Sequence, residues 1–205
     1  MGSTNADAPT TDKAPLRVSI LLESWTVPLW TARLLETLQA MPCVEIALVI
    51  ENDTSGLRHA ENSPLAKLRR NRNGVAFHAY QILDNRFFGR SDDAFAERDA
   101  RPLLSGVPVL VVTPRRKVHS DYFSDADLET IAGYDLDVAL RHGFRILRGG
   151  ALSIAKHGIW SFHHGDNRVN RGGPPGTWEV FLGEATTGAV LQVLTERLDD
   201  GRILG

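Results

Sequence analysis

One cysteine, Cys43, in 205 residues excludes a disulfide within the chain. Such sparse cysteine use fits a reducing compartment, and a cytoplasmic location is expected. No run of 18 apolar residues occurs, which excludes a membrane-spanning helix of ordinary length. Charge of one sign is also lacking. Lys and Arg number 23 against 25 Asp and Glu, for a net charge of −2. A slightly acidic chain has no general electrostatic attraction for nucleic acid or an anionic membrane, and neither is expected as a partner. Residues 1–15 lack an apolar centre and are rich in Ser, Thr, Asp, Ala and Pro. They read as a disordered leader rather than a secretory signal. Cys43 follows Pro42 at the edge of an apolar run and reads as a small buried hydrophobe.

What is present is a globular composition: 42% hydrophobic and 23% charged residues, enough for one core over residues 16–205. The run RVSILLE at 17–23 predicts a buried strand. Pro28 opens a helix, with Thr26 as its expected cap and Trp30, Leu34, Leu38 and Met41 as its apolar face; Pro42 stops it. VEIALVI at 44–50 is a second buried strand. Strand, helix, strand in this order is a βαβ unit, and such units build parallel sheets with right-handed crossovers. The basic run at 67–72 reads as a solvated helix end, and residues 75–88 as a helix with Phe77, Tyr80, Leu83 and Phe87 turned to the core.

Alternation resumes at 107–112 (VPVLVV), followed by a helix capped by Ser124 and by a strand at 136–140 (LDVAL). A short helix over 149–156, a strand at 159–162, a helix over 174–182 and a last strand within 187–198 complete the pattern. Trp178, Val180, Phe181 and Leu182 are expected in the core. Six strands with intervening helices predict an α/β protein with a doubly wound, mainly parallel, open Rossmann-like sheet. The chain ends soon after a strand-like segment, which suggests truncation at the C-terminus.

Polar residues that follow a strand in such a sheet are where ligands bind. His163, His164 and Asp166 occupy that position after the run at 159–162. Ser161 and His163 share one strand face and Phe162 points the other way. A histidine there can shuttle a proton or donate to a developing oxyanion. A structural pair of histidines capping the strand is the alternative. The His164-x-Asp166 spacing is too weak a signal to predict a metal. The cluster from Arg171 to Gly176 predicts a tight turn before the next helix. Asp199, Asp200 and Gly201 read as a turn, and a strand-helix-strand excursion could return Asp199 to His163, where a carboxylate would orient the imidazole.

Together these residues resemble the formyltransferase catalytic domain, the family of methionyl-tRNA formyltransferase, glycinamide ribonucleotide formyltransferase and the sugar-nucleotide N-formyltransferases. That family ends a strand on Asn-x-His, continues with Arg-Gly, opens a later strand with Thr-Gly, and then carries Asp with Gly two residues on. Here the matching residues are His163, Arg171 with Gly172, Thr187 with Gly188, and Asp199 with Gly201. The resemblance covers about residues 16–204 and is strongest from 136 onward.

The resemblance implies transfer of a formyl group from 10-formyltetrahydrofolate to an amine of a small molecule or sugar. It implies His163, Asp199 and Ser161 as catalytic residues: His163 at the oxyanion, Asp199 orienting it, and Ser161 standing where the family has Asn. It implies His164, Gly165, Asp166, Leu140 and Gly143 against the folate donor, and Arg171 and Gly172 against the acceptor. The family's Leu-Pro turn after the His is Asp166, Asn167 and Arg168 here, which marks a divergent branch. A binding module without catalysis and a hydrolase of the formyl donor are the alternatives. The chain is expected to work as a homodimer or as part of a longer multidomain protein.

Overall fold

A computed structural model describes residues 14–53, 74–88, 93–165, 176–197 and 201–204. All but the end of the expected leader, and the basic run at 67–72, lie outside the described residues. Strand β1 (Leu16–Leu22) is central. Five strands run parallel: β5 (Val109–Val112), β3 (Val44–Asn52), β1, β8 (Val138–His142) and β10 (Ile159–His164), adjacent in that order. Two antiparallel strands, β11 (Ala189–Val193) and β12 (Arg202–Ile203), extend the sheet beyond β10. From β1 the chain builds first toward β3 and β5, then toward β8 and β10. The reversal between β1 and β8 is the switch point at which such sheets open a crevice at their carboxyl ends.

Alternation along the strands divides the interior into two cores. Ile20, Leu22, Val49, Val138 and Leu140 face helix α1 (Leu29–Ala40), which contributes Ala32 and Leu35. Leu21, Leu48, Ile50, Ala139 and Ile159 face the other side, toward helix α3 (Asp125–Ala132) and a 3-10 helix (Gly149–Ser153). Helices on both faces make the sheet doubly wound, as expected. Ile20, Leu21 and Leu22 are all essentially inaccessible to solvent, because a central parallel strand is covered on both faces. Each such side chain stabilises the fold by roughly 1.5–3 kcal/mol relative to exposure. Helix α3 starts on the expected cap: Asp127 N donates to Ser124 Oγ at 3.1 Å, and the Asp127 carboxylate accepts from Ser124 N in return.

Two small sheets lie outside the main one. One pairs β2 (Thr26–Pro28) with β4 (Glu97–Asp99). The other joins β6 (Arg115–Lys117), β7 (Ser120–Tyr122) and β9 (Ile146–Leu147). Among the described residues no helix is long and apolar enough to cross a membrane.

Several expectations are corrected. Thr26 belongs to β2, and Pro28 takes the N-cap position of α1 without a side-chain bond. The buried stripe of α1 is Thr31, Ala32 and Leu35, one step around from the expected one, because small side chains let the helix approach the sheet. Cys43 is exposed, since it sits in the turn between α1 and β3 and not within the strand. Helix α2 (Val75–Phe88) has the expected bounds, but Tyr80, Leu83 and Phe87 are exposed and stand in neither core. In helix α4 (Thr177–Leu182), Trp178, Val180, Phe181 and Leu182 are exposed and Glu179 is the buried side chain. Its single inward position holds an acid in the first turn, where the helix dipole favours negative charge.

Candidate functional site

Strand β10 carries Ser161 and His163 to the carboxyl rim on the α3 side of the sheet. Antiparallel pairing with β11 sets Ser161 opposite Gln192 and His163 opposite Val190. Both side chains line a cavity of about 210 Å³, together with Arg141, Gln192, Thr195 and Gly201. Ile146 and Leu147 of β9 form an apolar wall of the same cavity. Ser161 is buried at 3% exposure, while His163 is half-buried, so the imidazole keeps access to a ligand. His164 points to the opposite face and is exposed. Gly165 has φ +113°, which glycine adopts without strain, and its N–H closes on Gly188 O at 2.8 Å.

Asp166, Arg171, Gly172 and Asp199 lie outside the described residues. Gly201, two residues after Asp199, lines the same cavity as His163. Leu140 and Gly143 are both placed, in different roles. Leu140 packs in the α1-side core, away from the cavity. Gly143 lies where the ends of β1 and β8 meet, and a Cβ there would stand 2.7 Å from the Leu22 carbonyl carbon. Its small size is thus needed by backbone approach at the switch point, whatever else it contacts.

One residue of β8 was not anticipated as part of the site. Arg141 pairs in register with Ser161, and its Nη1 donates to Ser161 Oγ at 3.3 Å. Its Nη2 donates to the carbonyls of Phe144 at 2.8 Å and Arg145 at 3.2 Å. Phe144 has φ +66°, an uncommon left-handed turn that aims its carbonyl at the guanidinium. Burial pulls the Arg141 pKa below the usual arginine range, against the pull of Glu23 and Asp121, and the group stays protonated. The signal was a cation at the end of an otherwise apolar strand.

His142 occupies the opposite face, its ring 5.4 Å from Trp30 and 6.4 Å from Phe162. Its Nε2 is buried without a partner among the described residues. Burial first, and the neighbouring Arg141 second, push its pKa down to about 4. A histidine held neutral in the fold titrates near 6.5 once unfolded. Between these values the unfolded chain binds a proton that the folded chain does not, so stability falls as pH drops from about 6.5 to about 4. The expected loss is roughly 3 kcal/mol at most. His142→Phe should flatten that part of the denaturant midpoint against pH curve. An unchanged slope would show that other groups carry it.

Among the described residues no three His, Cys, Asp or Glu side chains gather as metal ligands would. The arrangement instead collects hydrogen-bond donors: a hydroxyl, an imidazole, a guanidinium and an amide around one cavity. Such a set suits an oxygen that gains negative charge.

No family model matches the chain. A stretch of 76 residues is 34% identical to methionyl-tRNA formyltransferase of Chlorobium chlorochromatii (strain CaD3), spanning 37% of this chain and 24% of that protein. The chain therefore matches about a quarter of that relative's length. Among solved structures, glycinamide ribonucleotide transformylase 1 from Symbiobacterium toebii superposes with a TM-score of 0.55 at 17% identity, covering 98% of this chain and 76% of that one. Phosphoribosylglycinamide formyltransferase from Brucella melitensis gives 0.54 at 16% identity, over 94% and 78%. The chain has the formyltransferase fold, in a divergent form.

Proposed function

We propose that the protein transfers a formyl group from 10-formyltetrahydrofolate to an amine of a small molecule or sugar. The observation that carries this reading is the pairing of Ser161 and His163 on one face of β10, both opening into the rim cavity of a formyltransferase-type sheet. Tetrahydrofolate supplies a formyl carbon activated by its nitrogen. His163 donates to the formyl oxygen as the amine attacks, and then carries the proton from amine to leaving nitrogen. Asp199 orients the imidazole. Ser161 donates a second hydrogen bond to the same oxygen. His164, Gly165 and Asp166 shape the donor side, and Arg171 and Gly172 the acceptor side.

Calorimetric titration with 10-formylfolate, a stable analogue of the donor, tests binding. An assay with 10-formyltetrahydrofolate and a panel of amino sugars and amino acids then tests turnover. Saturable binding and a formylated amine are the expected results. Formate released with no formylated amine would assign hydrolysis instead. Binding without turnover would assign a binding module, and absence of binding would remove folate as the ligand.

A further inference from the structure

We propose that Arg141 is the group that supplies positive charge to the reacting oxygen, acting on it directly and through the Ser161 hydroxyl. This rests on the formyl-transfer reading and identifies the residue that takes over from the missing Asn.

The first observation is placement. Along β8, Leu140 and His142 face α1, so Ala139 and Arg141 face the cavity side. A guanidinium here is taken out of water, which destabilises its charged form unless something compensates. Among the described residues no carboxylate lies within ion-pair distance of it; Glu23 and Asp121 act only from farther away. Neutral carbonyls of Phe144 and Arg145 hold Nη2. Among the described residues the positive charge thus meets only neutral acceptors beside the cavity.

The second observation is spare hydrogen-bonding capacity. Guanidinium has five N–H groups in a planar fork. Nη2 uses both of its own on carbonyls, and Nη1 spends one on Ser161 Oγ. Nε is buried with no partner among the described residues. Among the described residues the second N–H of Nη1 has no partner, and Arg141 is a lining residue of the cavity. Ser161, in accepting from Arg141, keeps its own proton to donate. That proton now goes to Phe162 O over a long 3.3 Å, a bond easily exchanged for a charged acceptor.

The chemistry needs this charge for part of the reaction only. The amine nitrogen forms a bond to the formyl carbon, and the C=O pair moves onto oxygen. The pair then returns as the bond from carbon to the donor nitrogen breaks, and the amine's proton ends on that nitrogen through His163. Negative charge sits on oxygen only between the two steps, so a fixed cation there lowers the barrier without tightening ground-state binding. A single Ser hydroxyl is a neutral, short donor. Coupled to a guanidinium, it becomes a charge-assisted one.

The test uses the full chain. Calorimetry with 10-formylfolate first establishes binding. Nitrogen-15 NMR of arginine-labelled protein then follows the Arg141 side-chain resonance, assigned by its loss in Arg141→Lys. The resonance should move on saturation. Binding with an unmoved resonance would overturn this inference alone; absence of binding would overturn the folate reading and this inference together. In the transfer assay, Arg141→Met should lower kcat about 10²–10³-fold while both KM values stay within about threefold. Arg141→Lys should recover at least about tenfold of that loss, because it restores the charge. Adding Ser161→Ala to Arg141→Met should cost little more, since the two act as one unit. A raised KM with unchanged kcat would show that Arg141 holds the acceptor, and a rate loss that tracks only lost thermal stability would show that it merely ties down the turn at Gly143; either sinks the proposal. Should Arg141→Met fail to fold, the resonance shift and the lysine variant decide.

Discussion

Replacing His163 with alanine should lower the rate of formyl transfer by about 10³-fold or more and leave the fold standing. The rate effect combines two losses. A donor to a developing oxyanion is typically worth about 10²–10³ in rate, and a positioned proton carrier about 10²–10⁴. The two are not independent in one imidazole, so the product is an upper bound. The stability effect is small because His163 is half-buried at the sheet rim and belongs to neither apolar core. Its backbone pairs with Val190 of β11, and alanine keeps that ladder. The check is kcat and KM for transfer beside a thermal melt of each protein. An alanine variant within tenfold of wild-type rate, with the same melting temperature, would take His163 out of the mechanism. His163→Asn adds a useful contrast: an amide can donate to oxygen but cannot carry a proton near neutral pH. It should recover part of the loss if the hydrogen bond matters more than proton transfer.

The parts of this site that were legible in the amino-acid order are those written locally. Apolar runs located β1, β3, β5, β8 and β10. The central ones, β1 above all, are covered on both faces and leave few polar positions to blur the run, whereas β5 at the edge was found by its β-branched residues alone. The Ser124 cap was legible because it needs only Ser, a spacing of three and a carboxylate. Ser161 and His163 were placed on one face by strand alternation, and one cavity contains both. What was not legible depends on partners far along the chain. Arg141 was read as lying just past the strand that ends at Leu140, whereas pairing with β1 and β10 carries β8 on to His142. Only that extension sets the guanidinium beside Ser161. The buried stripe of α1 was misread because Thr31 and Ala32 carry little apolar weight, yet their size is what lets the helix pack closely. Tyr80 and Phe87 show the converse: helical spacing marks an apolar face without saying what covers it.

Replacing Asp121 with alanine should destabilise the fold by about 1–3 kcal/mol, the range for leaving the donors of a buried acceptor unsatisfied. Arg145 itself is partly exposed, so its charge is not stranded out of water. Asp121 is fully buried in β7, the middle strand of the small three-stranded sheet. Its carboxylate accepts from the Arg145 backbone N–H and from Arg145 Nε, each at 2.9 Å. Arg145 Nη2 also stands 2.8 Å from Asp121 Oδ1, and Nη1 and Nη2 donate to the carbonyls of Val118, Lys117 and Ser120, so Arg145 closes the β6–β7 hairpin. Alanine would leave the backbone N–H and Nε of Arg145, at the start of β9, without their acceptor. Asp121→Asn keeps one acceptor oxygen for Arg145 but turns an amide NH2 toward the other donor, so it should recover only part of the loss. The ordering Ala worse than Asn, read from denaturant midpoints at neutral pH, checks the account; equal losses would mean that the hydrogen bonds contribute nothing beyond charge. The consequence reaches the site through β9. Ile146 and Leu147 follow Arg145 directly and wall the cavity that holds Ser161 and His163. A variant that loosens β9 should therefore raise KM before it unfolds the domain, because the wall moves while β10, held by β8 and β11, keeps its residues in place.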